Sequence, residues 1–478
     1  MNFLKCISNS TSVKSIGLLT LPVIGALMNP SMVEAQKAQQ KKPNIIFILA
    51  DDLGYPEISC NGADNYKTPN IDKLASQGLR FTHAYANPLC GPSRATLLTG
   101  RYGFRTGATN QDACSQVFTK AEKAIPYYLK PAGYASTMIG KWGQLPDDPS
   151  DFSFDDYLRF FGSGVYWSEL GKKENYRVNG TDMILKGNEY MPDLMHKKLV
   201  TFLTKNKNNQ FFAYYSMSHV HGEIKKTPDS KLTTTDFYDD NITYMDKLVG
   251  ELRTELDRLK LSDNTILIFF SDNGTAGGKA DRATIGGRRL SGQKGSMLEG
   301  GSLEPLIVYW PGVTPVGKVC TDLISETDFL PTFAEITGAT LPKDVILDGQ
   351  SFNAQIHGQK GTPRTSVFVQ LANNFWARNY GWKLNQSGEL FDMSKAPFEE
   401  ILVPANTKNI AAIDARKSLQ QELDRLNPKG GYIDHGDGTG RHANKISNKA
   451  KKAAREAGAE SADSASSVKK VKKIKKVK

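Results

Sequence analysis

The sequence predicts an α/β fold on a mainly parallel central sheet flanked by helices, and three stretches carry that prediction. Residues 44–50, Asn-Ile-Ile-Phe-Ile-Leu-Ala, form a continuous apolar run, as a strand covered on both faces requires. Residues 265–270, Thr-Ile-Leu-Ile-Phe-Phe, repeat the pattern. Ahead of them, Asp236 to Lys260 sets Ile242, Met245, Leu248, Val249, Leu252, Leu256 and Leu259 at helical spacing, which gives one apolar face for packing on the sheet. Strands alternating with such helices argue for parallel pairing.

The chain begins with Lys5 and Lys14, an apolar stretch from Ile16 to Met28, and the small-residue site Val33-Glu34-Ala35. This reads as a signal peptide over 1–35, with the mature protein starting near Gln36 and exported to the periplasm or secreted. Pro22 and Gly25 break the stretch, which is too short for a transmembrane segment, and no later stretch is long enough. The main unit spans 36–345. Its first strand, 44–50, runs into Asp51 and Asp52. In Cys90-Gly-Pro-Ser-Arg-Ala-Thr-Leu-Leu-Thr-Gly100, Pro92 fits the first turn of a helix through Leu97 and Leu98, so position 90 sits beside free backbone N–H groups that favour an anion. Tyr134 to Gly140 reads as a strand leading into Lys141-Trp142, and Phe211 to Ser218 as one leading into His219-Val220-His221. The 265–270 strand leads into Ser271-Asp272-Asn273-Gly274, and a second helix is expected from Asp328 to Thr337. A smaller unit, 346–428, carries strand-like pieces at Ser366–Leu371, Trp376–Leu384 and Glu389–Met393 and a helix near Ala411–Leu426. Residues 429–478 form a basic, low-complexity tail.

Two carboxylates, an Asp-Asn pair, two imidazoles and an ammonium thus follow strands at their carboxyl ends, where open α/β sheets bind ligands. Asp51, Asp52, Asp272 and Asn273 offer only oxygen, so the implied metal is hard, Ca2+ or Mg2+ rather than zinc. Either pair alone is an ordinary strand-to-loop turn. His83, in Phe-Thr-His-Ala-Tyr, reads as a packed, hydrogen-bonded histidine.

The stretch from Cys90 through Arg101 resembles the sulfatase signature, Cys-x-Pro-Ser-Arg-x-x-Leu-x-x-Gly-Arg, at every fixed position, and the resemblance extends over roughly residues 43–428. It implies an alkaline-phosphatase-like fold with a small C-terminal antiparallel sheet and helix. It also implies that a maturation enzyme oxidises Cys90 to formylglycine, whose hydrate attacks sulfur and then expels sulfate. By the same resemblance Asp51, Asp52, Asp272 and Asn273 match the metal ligands, with modified residue 90 completing the shell. Arg94 matches the residue that steadies the nucleophile. Lys141, His221 and Lys294 match residues that hold the sulfate or protonate the leaving oxygen, Lys294 lying in a loop similar to Lys-Gly-x-x-x-Glu-Gly-Gly ahead of a strand at Leu306–Trp310. Two departures stand out. Gly143 replaces a histidine that many sulfatases carry after Gly-Lys-Trp, with His219 a substitute for it if the loop brings it close, and the Arg that often follows Glu-Gly-Gly is missing.

The formal net charge is +11, but residues 445–478 alone hold twelve basic against three acidic residues. That tail lacks the apolar content to fold alone and reads as disordered, either as a tether to polyanionic material or as a solvated segment without a partner. No base-reading motif accompanies it, so nucleic acid is set aside. Once Cys6 is removed and Cys90 converted, Cys60, Cys114 and Cys320 allow at most one disulfide. The expected activity is sulfate ester hydrolysis on a sulfated small molecule or polysaccharide, with carbohydrate sulfates preferred. The alternatives are a phosphonate or phosphodiester hydrolase of the same superfamily and a catalytically silent sulfated-glycan-binding protein. Arg282, Arg288 and Arg289 suggest further anionic or sugar contacts.

Overall fold

The computed structural model describes residues 42–168 and 175–434. The signal-peptide reading of 1–35 and the polyanion-tether reading of the tail fall outside these residues. In chain order the strands of the large sheet are β1 (Asn44–Ala50), β2 (Leu79–Tyr85), β3 (Ala135–Lys141), β4 (Asp156–Phe160), β5 (Tyr176–Val178), β6 (Thr181–Met183), β7 (Phe211–Ser216) and β8 (Thr265–Ser271). A short ribbon, β9 (Thr284–Ile285) and β10 (Arg288–Arg289), precedes the last two, β11 (Leu303–Tyr309) and β12 (Lys318–Ser325). The ten strands lie in the order β12-β2-β11-β8-β1-β7-β3-β4-β5-β6. The middle of the sheet, β8-β1-β7-β3-β4, is entirely parallel.

Burial explains the unbroken apolar runs. Ile46, Ile48 and Ala50 face a core shared with helices Met191–Lys205 and Tyr238–Arg258, through Leu199, Met245, Leu248 and Leu252. Ile45, Phe47 and Leu49 face the opposite core, which holds Leu97, Leu98, Phe329 and Phe333. Residues 45–50 are wholly buried, and each large side chain contributes roughly 1.5–3 kcal/mol, so the strand that ends at Asp51 is firmly anchored. We label the helices that matter below α1 (Cys90–Thr99), α2 (Gln111–Gln116), α3 (Phe329–Thr337) and α4 (Ile410–Leu426). All ten residues of α1 are buried, and Gly100 ends it at φ +66°, a left-handed conformation that suits glycine, with its N–H on the Thr96 carbonyl.

The expected elements appear with small shifts at their ends, and the exceptions have physical causes. The strand expected at 306–310 starts at Leu303 and runs antiparallel between β8 and β2. Trp376–Leu384 is a hairpin rather than one strand: Asn379 Oδ1 accepts from the N–H groups of Gly381 and Trp382 and turns the chain between β14 (Asn374–Arg378) and β15 (Trp382–Asn385). With β13 (Val367–Leu371), β16 (Leu390–Asp392) and β17 (Ile401–Leu402), these make a five-stranded antiparallel sheet against which α4 packs Leu419 and Leu423. Among the described residues no helix is long and apolar enough to cross a membrane. Cys60, Cys90, Cys114 and Cys320 are all free thiols.

Candidate active site

The carboxyl ends of β1, β3, β7 and β8 deliver their polar residues to one buried cluster beneath the start of α1. Asp51 and Asp52 follow β1, Asp272 and Asn273 follow β8, and Lys141 is the last residue of β3. All five are at most 2% exposed, as is Arg94 from the first turns of α1. Asp52 adopts a left-handed φ of +66°, a strained conformation that aspartate tolerates better than most residues. Its N–H donates to Asp272 Oδ1 at 3.1 Å, and the N–H of Asp51 donates to the His219 carbonyl at 2.7 Å, so the two-residue turn is fixed from both sides.

The charged groups interlock. Arg94 gives Nε and Nη2 to Asp272 Oδ2 at 3.0 and 2.6 Å, and Nη1 to the Lys141 carbonyl at 3.1 Å and to Ser216 Oγ. Its Nη2 also lies 3.5 Å from Asp51. Lys141 Nζ bridges both oxygens of Asp51 at 2.8 and 2.7 Å. Lys294 Nζ donates to Asp52 Oδ1, which also accepts from Asn273 Nδ2 at 2.9 Å. The two lysines expected at the sulfate are therefore drawn onto Asp51 and Asp52. Burial raises the pKa of Asp51 above its ordinary value despite Lys141 and Arg94, and pushes Asp272 up to about 6 against the pull of Arg94. Asp52 goes the other way: burial opposes ionisation, but Lys294, His221 and Lys141 together hold it below the usual carboxylate range.

His221 Nε2 stands 3.8 Å from Asp52 Oδ2, and its Nδ1 is on the Gly222 carbonyl. A ring that gives its Nδ1–H to a carbonyl presents Nε2 as a lone pair, the arrangement common to metal-facing histidines. Burial and the Lys141 ammonium hold its pKa down to about 3, so the ring is neutral. Asp51, Asp52 and His221 each bring a ligand atom within 4.8 Å of the others. This group could hold a metal ion, and beside it Asn273 Oδ1 is buried and lacks a hydrogen-bond partner, leaving a further oxygen donor.

Cys90 opens α1, the helix whose Arg94 is bound to Asp272 of this cluster. Two contributors were not legible in the sequence. Ser216, at the end of β7, joins Arg94 to the Lys141 carbonyl, which its Oγ approaches at 2.6 Å. Gln111, at the start of α2, accepts from the Gly91 N–H at 3.0 Å and sets its Nε2 3.4 Å from Cys90 Sγ. Only its position after the helix-capping Asn110 could have hinted that its side chain is fixed.

The other residues that the sequence singles out take defined places in the structure. His219 does not stand in for the histidine absent at 143: it is fully buried among Tyr166, Tyr190 and Tyr244, with Nε2 3.1 Å from the Tyr190 hydroxyl. Gly143 itself has φ +79°, and a Cβ there would lie 3.1 Å from Arg94 Cδ. Arg282 bridges Asp236 and Asp239, Arg289 pairs with Asp281, and the Arg288 guanidinium lies 4.1 Å over the Phe398 ring, so each is engaged within the protein. His83 is part-buried against Thr82 and Tyr380, in keeping with a packing role.

A cavity of about 630 Å3 opens beside His221, lined by Tyr166, Trp167, Glu223, Lys225, Lys226 and Phe237 among others. Its wall touches the site directly: a Cβ on Gly164 would lie 3.4 Å from His221 Nδ1, and the Tyr166 hydroxyl donates toward the Ser218 and His221 carbonyls at 2.9 and 3.0 Å. A larger cavity near Arg101, Arg105 and Arg425 lies at the far end of α1 from Cys90.

A family model described as Sulfatase matches residues 43–339. Human N-acetylgalactosamine-6-sulfatase is 32% identical over 393 residues, covering 72% of this chain and 74% of its own length. Arylsulfatase G of the dog, Canis lupus familiaris, is 32% identical over 377 residues, covering 69% and 70%. Among solved structures, Ps i-CgsB in complex with k-i-k-neocarrahexaose superposes with a TM-score of 0.72 at 27% identity, covering 85% of this chain and 97% of that one.

Proposed function

This chain belongs to the sulfatase family and is a sulfuric ester hydrolase, and on that premise we propose that it is an exported carbohydrate sulfatase working through formylglycine at position 90 and a bound divalent cation. The single observation that carries the reading is the convergence of Asp51, Asp52, Asp272, Asn273, Arg94, Lys141, His221 and Lys294 on the start of the helix that Cys90 opens. Asp51, Asp52, Asp272 and Asn273 would hold the cation, Ca2+ or Mg2+, which would supply Lewis acidity toward sulfate oxygens, and the hydrated aldehyde of residue 90 would supply the nucleophile.

The chain's own residues supply the rest. Arg94 is locked by Asp272, Ser216 and the Lys141 carbonyl, so it offers a fixed positive charge beside residue 90 without having to reorganise. Lys294 stays charged because Asp52 and neighbouring anions outweigh the effect of burial. With Asp51 and Asp52 committed to a cation, the ammonium groups of Lys141 and Lys294 would neutralise the non-bridging sulfate oxygens. His221 lies between the charged cluster and the cavity, on the side where the leaving oxygen would emerge. The cavity suits a sugar: Trp167 and Phe237 offer aromatic surface, and Lys225, Lys226 and Glu223 offer polar contacts at its rim. That is the basis for preferring carbohydrate sulfates, in line with the oligosaccharide bound by Ps i-CgsB. Residues 36–345 would carry the catalysis, 346–428 a supporting subdomain, and the leader and tail export and polyanion contact.

Initial rates on matched aryl sulfate and aryl phosphate, then on sulfated and desulfated galactosides, test the assignment. The expected result is inorganic sulfate release that chelation removes and Ca2+ or Mg2+ restores, with the phosphate ester far slower. Faster phosphate release, or full sulfate release after exhaustive chelation, would overturn it.

A further inference from the structure

We propose that Gln111 is a catalytic residue, donating a hydrogen bond from Nε2 to the oxygen that residue 90 carries once its thiol has been converted, and so supplying the donor this chain lacks at Gly143. The inference rests on the formylglycine reading. In the structure Cys90 Sγ occupies the place of that oxygen, and Gln111 Nε2 stands 3.4 Å from it, with Oε1 farther away at 3.6 Å.

The orientation of the amide is fixed by its other end. The Gly91 N–H donates to Oε1 at 3.0 Å, which fixes the amide with its Nε2 donor as the end closer to Sγ, at 3.4 Å against 3.6 Å for Oε1. Asn110 holds the start of α2 by accepting the Ala113 N–H on its Oδ1 at 2.7 Å, and Ala113 and Cys114 are buried beneath, so Gln111 projects from an anchored turn. The residue after Cys90 makes room for it. A Cβ on Gly91 would lie 2.8 Å from Gln111 Oε1 and 3.1 Å from Cys114 Sγ, so any side chain at 91 would push the amide aside. At 143, by contrast, glycine provides no side chain, and a Cβ would press on Arg94. An amide can donate but cannot take up a proton at pH 7. Gln111 therefore orients and polarises the residue-90 oxygen and does not serve as its base.

Two measurements test this. In the mature enzyme, Gln111→Glu keeps an oxygen for the Gly91 N–H but replaces the Nε2 donor with a negatively charged acceptor, while Gln111→Met loses both contacts without adding charge. Per formylglycine quantified by mass spectrometry, both should lower kcat about tenfold with KM for a small aryl sulfate changed less than about twofold. Gly91→Ala should match them and add little when combined with Gln111→Met. A Gln111→Glu enzyme with wild-type kcat, or a loss confined to KM, would show that Gln111 only braces the helix.

The second readout needs neither activity nor conversion. In unmodified, chelated protein, a thermal double-mutant cycle of Cys90→Ser and Cys90→Ala against Gln111 and Gln111→Met should give a coupling on the order of 1–2 °C, since a serine hydroxyl at position 90 accepts from Nε2 and an alanine methyl cannot. Zero coupling overturns the proposal. If residue 90 of the wild type proves unconverted, the formylglycine reading fails, and the cycle alone then decides whether Gln111 binds the residue-90 oxygen.

Discussion

Replacing Arg94 with methionine removes the hub of the charged cluster while keeping an unbranched apolar stem. The guanidinium and Asp272 form a pair that is at most 1% exposed, with two hydrogen bonds to one carboxylate oxygen at 3.0 and 2.6 Å. Breaking a buried pair from one side leaves an uncompensated charge and costs about 3–5 kcal/mol, a large share of the roughly 5–15 kcal/mol that holds a typical domain folded. The Lys141 carbonyl and Ser216 Oγ lose a partner as well. Equilibrium urea unfolding in chelator should show that loss as a lowered midpoint. Adding Asp272→Leu should recover most of it, because the orphaned carboxylate goes with its partner, while sulfate release stays abolished. Burial already pushes Asp272 up to about 6, well above its unfolded value near 3.9. Its share of stability in chelator is therefore fully present below about pH 3.9 and lost as pH rises through about 6. Removing Arg94 should deepen that loss and move it to higher pH. Saturating Ca2+ should shrink the deficit of the single variant, since Asp272 then has another counter-ion. A deficit under about 1 kcal/mol in chelator, or a double variant no more stable than the single one, would refute the reasoning.

Cys90→Ala should abolish sulfate release while leaving the unfolding midpoint close to wild type, since one small buried side chain replaces another at the start of α1; measurable turnover by the alanine variant would contradict the assignment of the nucleophile. Gly143→Ala should cost about 1–2 kcal/mol, because φ is +79° and the new Cβ meets Arg94 Cδ at 3.1 Å, and Gly143→His should lose stability rather than gain turnover; a histidine variant that is both stable and faster would show that the loop can re-form. Deleting residues 445–478 should leave turnover of a small aryl sulfate unchanged and weaken retention on a sulfated polymer in a salt-dependent way; equal retention at low salt would remove the tether.

The legible parts of this protein were those where one stretch of chain decides the outcome. The 44–50 and 265–270 runs carry the mark of doubly covered strands, which they are, and the residues that follow them lie at the sheet's carboxyl edge. Cys90 to Gly100 carried its own helix start and its left-handed end. What stayed hidden depends on contacts between distant segments. β2 and β12 carry no continuous apolar run, because β2 mixes buried and part-buried residues and β12 is largely exposed over its first half. The direction of β11 is set by its place between β8 and β2, which local pattern does not encode. His219 looked like a reserve base only until its tyrosine cage was visible. Gln111 lies twenty-one residues from Cys90, and nothing in its local sequence marks the contact. Lys141 and Lys294 were assigned to sulfate by resemblance, and the structure adds that the same ammonium groups neutralise Asp51 and Asp52.

The formylglycine mechanism is tested most directly by mass spectrometry of the Cys90-containing peptide from enzyme purified from its native host, read against the specific activity of the same preparation. The expected result is that the thiol is replaced by an aldehyde and that sulfate release rises in proportion to the converted fraction. A fully active preparation whose Cys90 is an unmodified thiol would contradict it.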